Sequence, residues 1–247
     1  MDSIDFNEVD ISELKYHYSS YVGFVTYCGK KWEIETGPIQ LTSYGIPQLD
    51  KPESSGYHPD DSTRRFIKIP LDNFQPSCQY LRKNLERLDE FFGSLIVRKK
   101  LFGIKSDNYK YDPIIKIILN HDKIQSDYCK IKFITDYHTK ENKTIIKKNN
   151  EIVEAKTVTE ITNYVKFLTT SRFTICVQKI WAHKNPSLGD KFISYSVGLV
   201  MNEINVGNAY LKLDKLEIND ISTLKKAYKN YFGQDNKFPK DKITIEI

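Results

Sequence analysis

The two longest alternating segments constrain the fold most. Residues 172–181 (RFTICVQKIW) and 191–200 (KFISYSVGLV) are rich in β-branched and aromatic residues. The nine residues between them contain Asn185-Pro186 and Gly189, which suits a hairpin connection. A lone pair of strands is marginal in water, so this hairpin needs further strands or a helix over its apolar face. The rest of the chain offers both. Residues 21–27 (YVGFVTY) and 31–35 (KWEIE) flank Cys28-Gly29-Lys30 and read as a second hairpin. Residues 65–71 (RFIKIPL) alternate apolar and polar, and residues 113–119 (PIIKIIL) place Ile115, Ile117 and Leu119 on one side. In residues 128–135 (YCKIKFIT), Cys129, Ile131 and Phe133 share one face, and Tyr128, Lys130 and Lys132 the other.

Helices are fewer. Over residues 76–93, Cys78, Leu81, Leu85, Leu88 and Phe92 form one apolar stripe, charged residues fill the other face, and Gly93 is a natural stop. Weaker patterns predict helices over 157–168 and 220–231. Residues 44–63 hold Gly45, Pro47, Pro52, Gly56 and Pro59 and read as a loop. Many strands, few helices and no βαβ rhythm predict a mostly-β (α+β) domain with peripheral helices.

Composition narrows the class. Aromatic residues make up 13% of the 247 residues, which excludes global disorder. With 11 Gly and 9 Pro, a collagen-like or low-complexity chain is excluded too. No apolar run approaches the ~20 residues that span a bilayer. The first ten residues carry four acids and no Lys or Arg, the reverse of a secretion signal, so an intracellular protein with no membrane partner is expected. Cys28, Cys78, Cys129 and Cys176 lie far apart with no CxxC pair, and the five His are scattered. Reduced, buried thiols are expected, with no metal and no cofactor.

The net charge of +5 is unevenly spread. Residues 1–61 hold 4 basic and 11 acidic side chains, whereas residues 98–148 hold 13 basic and 6 acidic. A basic middle can attract a polyanion. Catalytic motifs are missing: there is no Walker A, GxGxxG, GxSxG or HExxH pattern. Asp60 and Glu154-Ala155-Lys156 distantly evoke a metal-nuclease PD…ExK pattern, but more than 90 residues separate them. His58, Asp60 and Asp61 sit in the Pro-rich loop, where a plain turn explains them. A non-enzymatic role is expected, with a metal-dependent nuclease as the enzymatic alternative.

What remains is basic chemistry interleaved with aromatic rings. Arg98, Lys99 and Lys100 precede Leu101-Phe102-Gly103; Tyr109, Tyr111 and Lys116 follow; then comes the outward Tyr128, Lys130 and Lys132 face; and Arg172, Lys179 and Trp181 lie on the strongest strand. Cations can track phosphates while exposed rings stack on unpaired bases, so this pattern suits single-stranded nucleic acid. Duplex readers tend to present a recognition helix, and none of the predicted helices is basic enough. By simple alternation Trp181 shares a face with Phe173, Ile175 and Val177. Its place at the strand end, beside Lys179, predicts that this face turns from core to groove.

The order of these motifs resembles the single-stranded DNA-binding proteins of large DNA viruses of eukaryotes, which are related to the phage T7-type binder. The residues that carry it are Phe91-Phe92-Gly93, Leu101-Phe102-Gly103, Tyr109-x-Tyr111-Asp112-Pro113-Ile114-Ile115-Lys116, Lys130-Ile131-Lys132-Phe133 and the long hairpin, over about residues 65–205. The resemblance implies an OB-like five-stranded β-barrel that coats single-stranded DNA during viral replication in the host cytoplasm. It supports Tyr109, Tyr111, Lys116, Lys130, Lys132, Lys179 and Trp181 as groove residues. The expected organisation is a single domain: an acidic N-terminal hairpin region and loop (1–61), an OB-like core (62–205) and a helical C-terminal extension (206–247). Replication proteins and further copies of the chain are the expected partners. T7-type binders end in an acidic tail that recruits partners; residues 240–247 (KDKITIEI) are not acidic, and the acidic N-terminal segment is one candidate to take that role. The alternative within the viral setting is a structural protein of a capsid or core with a β-sandwich.

Overall fold

The computed structural model of the chain describes residues 14–19, 22–27, 31–49, 58–118 and 127–207. The helix predicted over 220–231 lies outside them, as do Cys28 and Leu119.

The described strands form one mixed sheet. Its spine is the predicted long hairpin: β11 (Thr170–Ala182) pairs antiparallel with β12 (Ile193–Val206). One edge of β11 carries three strands in line: β2 (Val22–Tyr27), β3 (Trp32–Glu35) and β4 (Ile39–Gln40). This corrects the second predicted hairpin. β2 and β3 both run antiparallel to β11 and so parallel to each other, and β2 takes β1 (Leu14–Ser19) as its own partner. Through β1 and β2 the acidic N-terminal region joins the main sheet.

On the other edge, β12 runs parallel to β6 (Tyr109–Tyr111), β8 (Tyr128–Phe133) and β9 (Ile145–Lys148). β8 continues outward to β5 (Phe66–Pro70) and to the short β7 (Ile115–Lys116), and β9 hairpins into β10 (Glu151–Val153). The strand predicted over 113–119 shrinks to two residues, because Ile114 and Ile115 are both buried while Ile117 is exposed.

Helix α1 (Pro76–Gly93) closes the core. Its Cys78, Leu81, Leu85, Leu88 and Phe92 are fully buried in one cluster with Ile67, Ile69 and Ile131 of the sheet. Burying each such side chain contributes about 1.5–3 kcal/mol. Pro76 starts the helix where its missing N–H costs nothing. Gly93 ends it, and its lack of a side chain has a second use: a Cβ there would come within 3.1 Å of the Tyr111 ring. Ser94 then caps α2 (Leu95–Phe102) by accepting from the Val97 N–H. The predicted helix over 157–168 is shorter, α3 (Val158–Tyr164), opened by a capping box between Thr157 and Glu160. The mostly-β class with peripheral helices is what the chain shows. Cys78, Cys129 and Cys176 are buried thiols, and burial raises all three above their usual range. Among the described residues no helix is long and apolar enough to cross a membrane.

Candidate nucleic-acid interface

The face of the sheet turned away from the core is set by strand alternation, interrupted once where it matters. Phe173, Ile175, Val177 and Ile180 point into the core, so strict alternation breaks between Val177 and Ile180. The register against β12 shifts there, with Val177 opposite Leu199 and Lys179 opposite Gly198, leaving Gln178 as an extra residue. This β-bulge turns Lys179 and Trp181 onto the outer face. Trp181 therefore leaves the core as expected, but for another reason. It does not share the face of Phe173, Ile175 and Val177; one inserted residue moves it to the other side.

On that outer face four strands bring cations and rings together. β8 supplies Tyr128, Lys130 and Lys132, the side chains that alternation assigns outward. β5 supplies Phe66 opposite Lys132 and Lys68 opposite Lys130. β11 supplies Lys179 and Trp181, and β12 runs between them. The Lys132 ammonium lies 4.8 Å from the centre of the Trp181 ring, and that of Lys179 lies 5.9 Å from it. Lys130 sits 3.9 Å over Phe66. Lys68 sits 4.7 Å from the Tyr128 ring and 5.8 Å from that of Tyr44, and these two rings are 4.8 Å apart. Each pair is close enough for a cation–π contact, worth about 0.5–1 kcal/mol at an exposed site.

No ion pair joins Lys68, Lys130 or Lys132 to a carboxylate among the described residues. The packing has an electrostatic result. Burial pulls the Lys68 ammonium below its usual range. Burial does the same to Lys130, helped by the charges of Lys132, Lys68 and Lys116. Lys68, Lys130 and Lys132, with no ion-pair partner among the described residues, gain free energy when an anion arrives.

Trp181 is the exposed ring of the group, at 42% exposure. Its indole lies down over Gly198 of the adjacent strand, where a Cβ would come within 2.5 Å of the ring nitrogen. Phe66, at 8% exposure, supports Lys130 rather than facing solvent.

Other expected site residues stand elsewhere. Tyr109 and Tyr111 are corrected: the Tyr109 ring belongs to the core, and the Tyr111 ring packs against it, partly buried. Tyr109 is stacked on Phe102 at 3.7 Å between ring centres, and the Tyr111 hydroxyl donates to Asp89 at 2.8 Å. Neither offers a face to a base. Lys116 is engaged by Asp112 at 2.7 Å. Arg98, Lys99 and Lys100 ride on α2, off the sheet face, and Arg98 donates to the Tyr109 carbonyl. Arg172 is exposed on the outer face but at the opposite end of β11, nine residues from Trp181 and so roughly 30 Å away. Alternation in residues 65–71 already set Lys68 apart from Ile67 and Ile69; the information missing from the sequence was that this strand lies beside β8.

The carboxylates considered for a metal are occupied otherwise. Asp60 accepts from Ser62 and Thr63 in a turn, and Asp61 holds the buried Arg64 at 2.7 Å and accepts from the Thr159 N–H. Glu154 pairs with Lys156 at 3.0 Å. Among the described residues no group of three or more His, Cys, Asp or Glu is placed to hold a metal ion.

No family model matches the chain. An uncharacterized protein of Acanthamoeba polyphaga mimivirus is 31% identical over 234 residues, covering 80% of this chain. The chain spans 58% of that relative's length. Two solved structures are similar in part. The single-stranded DNA-binding protein of bacteriophage Enc34 has a TM-score of 0.40 at 12% identity, covering 80% of this chain and 96% of its own. The single-stranded DNA-binding protein of bacteriophage T7 has a TM-score of 0.38 at 13% identity, covering 75% and 97%. Both scores are too low for the likeness to bear on function.

Proposed function

We propose that the chain is a non-enzymatic single-stranded DNA-binding protein with an OB-like core, acting in viral DNA replication. The observation that carries this reading is the outer sheet face on which Lys132 and Lys179 flank the exposed Trp181, with Lys130 and Lys68 continuing the basic, ring-lined surface onto β8 and β5. The lysines neutralise successive phosphates, and Trp181 stacks on an unpaired base. A duplex hides its base faces, so it engages only the lysines and binds more weakly.

The test is a titration with a dT oligonucleotide, read by Trp181 fluorescence and repeated over a range of salt. Four phosphate contacts on a single strand give a log–log salt slope of about −3, from roughly −0.7 per contact. Equal affinity for duplex and single strand, or a flat salt response, overturns the reading. Strand cleavage in magnesium or manganese that disappears with Glu154→Ala replaces it with the nuclease.

A further inference from the structure

Gly198 is a glycine in the middle of a 14-residue strand, opposite Lys179 in the register with β11. A glycine there weakens the strand and commonly marks a place where something approaches the backbone closely. Here the approaching group is the Trp181 indole. A Cβ on Gly198 would meet Nε1 at 2.5 Å and Cδ1 at 3.2 Å, while its nearest backbone neighbour, the Lys179 carbonyl oxygen, is at an ordinary 3.4 Å. The clash is thus confined to one exposed side chain. Gly198 does not carry positive φ, so the glycine is not required by the backbone.

We infer that Gly198 is the positioning residue for the base-stacking platform. Its bare backbone lets the Nε1–Cδ1 edge of the indole settle against β12, while the Lys132 ammonium lies over the ring at 4.8 Å from its centre. The 42% of Trp181 that stays exposed is what a single base can reach. The inference rests on the single-strand reading above and adds a determinant to it: the angle of the platform is set by the neighbouring strand.

Gly198→Ala tests this. The backbone can accept the methyl group, so thermal stability stays close to wild type. The indole must swing out, so its angle changes. Iodide quenching follows the indole directly, because Trp32 is fully buried and Trp181 is the accessible ring of the two. The expected result has three parts. Quenching of Trp181 rises. Affinity for a dT oligonucleotide falls as far as in Trp181→Ala, about 5- to 150-fold. Affinity for an abasic oligonucleotide, which offers phosphates without bases, stays within about twofold. The double variant Gly198→Ala/Trp181→Ala binds no more weakly than Trp181→Ala alone, since the two changes remove one interaction.

Unchanged quenching and unchanged dT affinity in Gly198→Ala overturn the inference. So does an equal loss for dT and abasic strands, which would make Gly198 a general structural element of the sheet. If the wild-type protein binds no oligonucleotide, the single-strand reading fails. The quenching comparison still decides whether Gly198 sets the indole.

Discussion

The outer face of the sheet has two halves that share β11 and β12, and they treat their charges differently. In the half near Gly198, Lys68, Lys130 and Lys132 have aromatic rings for neighbours and no carboxylate partner among the described residues. In the half near Arg172, the outward positions include Glu33, Glu35 and Glu203. There Lys147 pairs with Glu203 at 2.7 Å, and Glu33 accepts from the Asn202 amide at 2.9 Å. Both halves contain lysine, so lysine content does not distinguish them. The counter-charge does. An ammonium held by a carboxylate must give up that partner to meet a phosphate, whereas one resting on a ring loses only a weak contact. The β-bulge at Gln178 lies between the halves and turns Lys179 and Trp181 toward the one near Gly198.

Reversing the charge of the half near Gly198 should have the largest effect. Lys130→Glu combined with Lys132→Glu should weaken binding to a dT oligonucleotide by on the order of 100-fold in low salt and make the salt slope shallower by about 1.4. Calorimetry or anisotropy at several salt concentrations measures both. A loss below threefold would remove this half from consideration as the binding face.

Trp181→Ala comes next. It should cost about 1–3 kcal/mol of binding at nearly unchanged thermal stability. Trp32 provides the contrast: it is fully buried against β11, and truncating it should destabilise the fold by about 3–5 kcal/mol. If Trp181→Ala unfolds the protein while a folded Trp181→Phe binds normally, the ring is structural.

The unpaired half should also show its own pH response. Lys130 and Lys68 are held below the usual lysine range, the first cause in both being burial. Phosphate binding requires the protonated form. Raising the pH toward the usual lysine range removes the proton from these two before an exposed lysine would lose it, so affinity should fall several-fold over that rise. Lys130→Arg stays charged and should flatten the profile. A profile identical in Lys130→Arg and wild type would mean that Lys130 does not meet the ligand. In the paired half, Lys147→Ala and Arg172→Ala should each change affinity by less than about twofold, measured in the same assay.

How much of this was legible in the sequence follows from what sets each feature. The long hairpin, the β8 faces and the α1 stripe were readable because they depend on local periodicity: Cys129, Ile131 and Phe133 alternate, and Cys78 to Phe92 recur with the helical repeat. The partners of β2 and β3 were not readable, because Cys28-Gly29-Lys30 looks like a turn whether or not the flanking strands pair with each other. The same limit hid Lys68, whose position beside Lys130 depends on a strand pairing across more than 60 residues. The Gln178 bulge has no composition of its own, being one polar residue in an otherwise regular run. Tyr109 and Tyr111 were misassigned because a Tyr-Lys-Tyr triplet reads the same whether its rings face bases or a core. Their burial depends on Phe102, Asp89 and Tyr195.

That last distinction yields the change expected to move binding least. Tyr111→Phe removes the hydroxyl that donates to Asp89, a carboxylate that also accepts from the Ile114 and Ile115 N–H groups at 2.8 and 3.2 Å. Losing a hydrogen bond to this half-buried carboxylate should cost about 1.5–3 kcal/mol of stability. Affinity for the dT oligonucleotide should not change, because the hydroxyl is engaged by Asp89 and the ring packs against the core. Burial raises the Asp89 carboxyl above its usual range, against the opposing pull of these donors. The folded protein therefore holds this proton more tightly than the unfolded chain does. The associated stabilisation is complete below the unfolded-state value and is lost as pH rises through the folded-state value. Removing the tyrosine donor raises the folded-state value further, so the loss in Tyr111→Phe should extend to higher pH than in wild type. Thermal melts of both proteins across the acidic range measure this. A variant that melts like wild type at every pH but binds DNA more weakly would return Tyr111 to the interface.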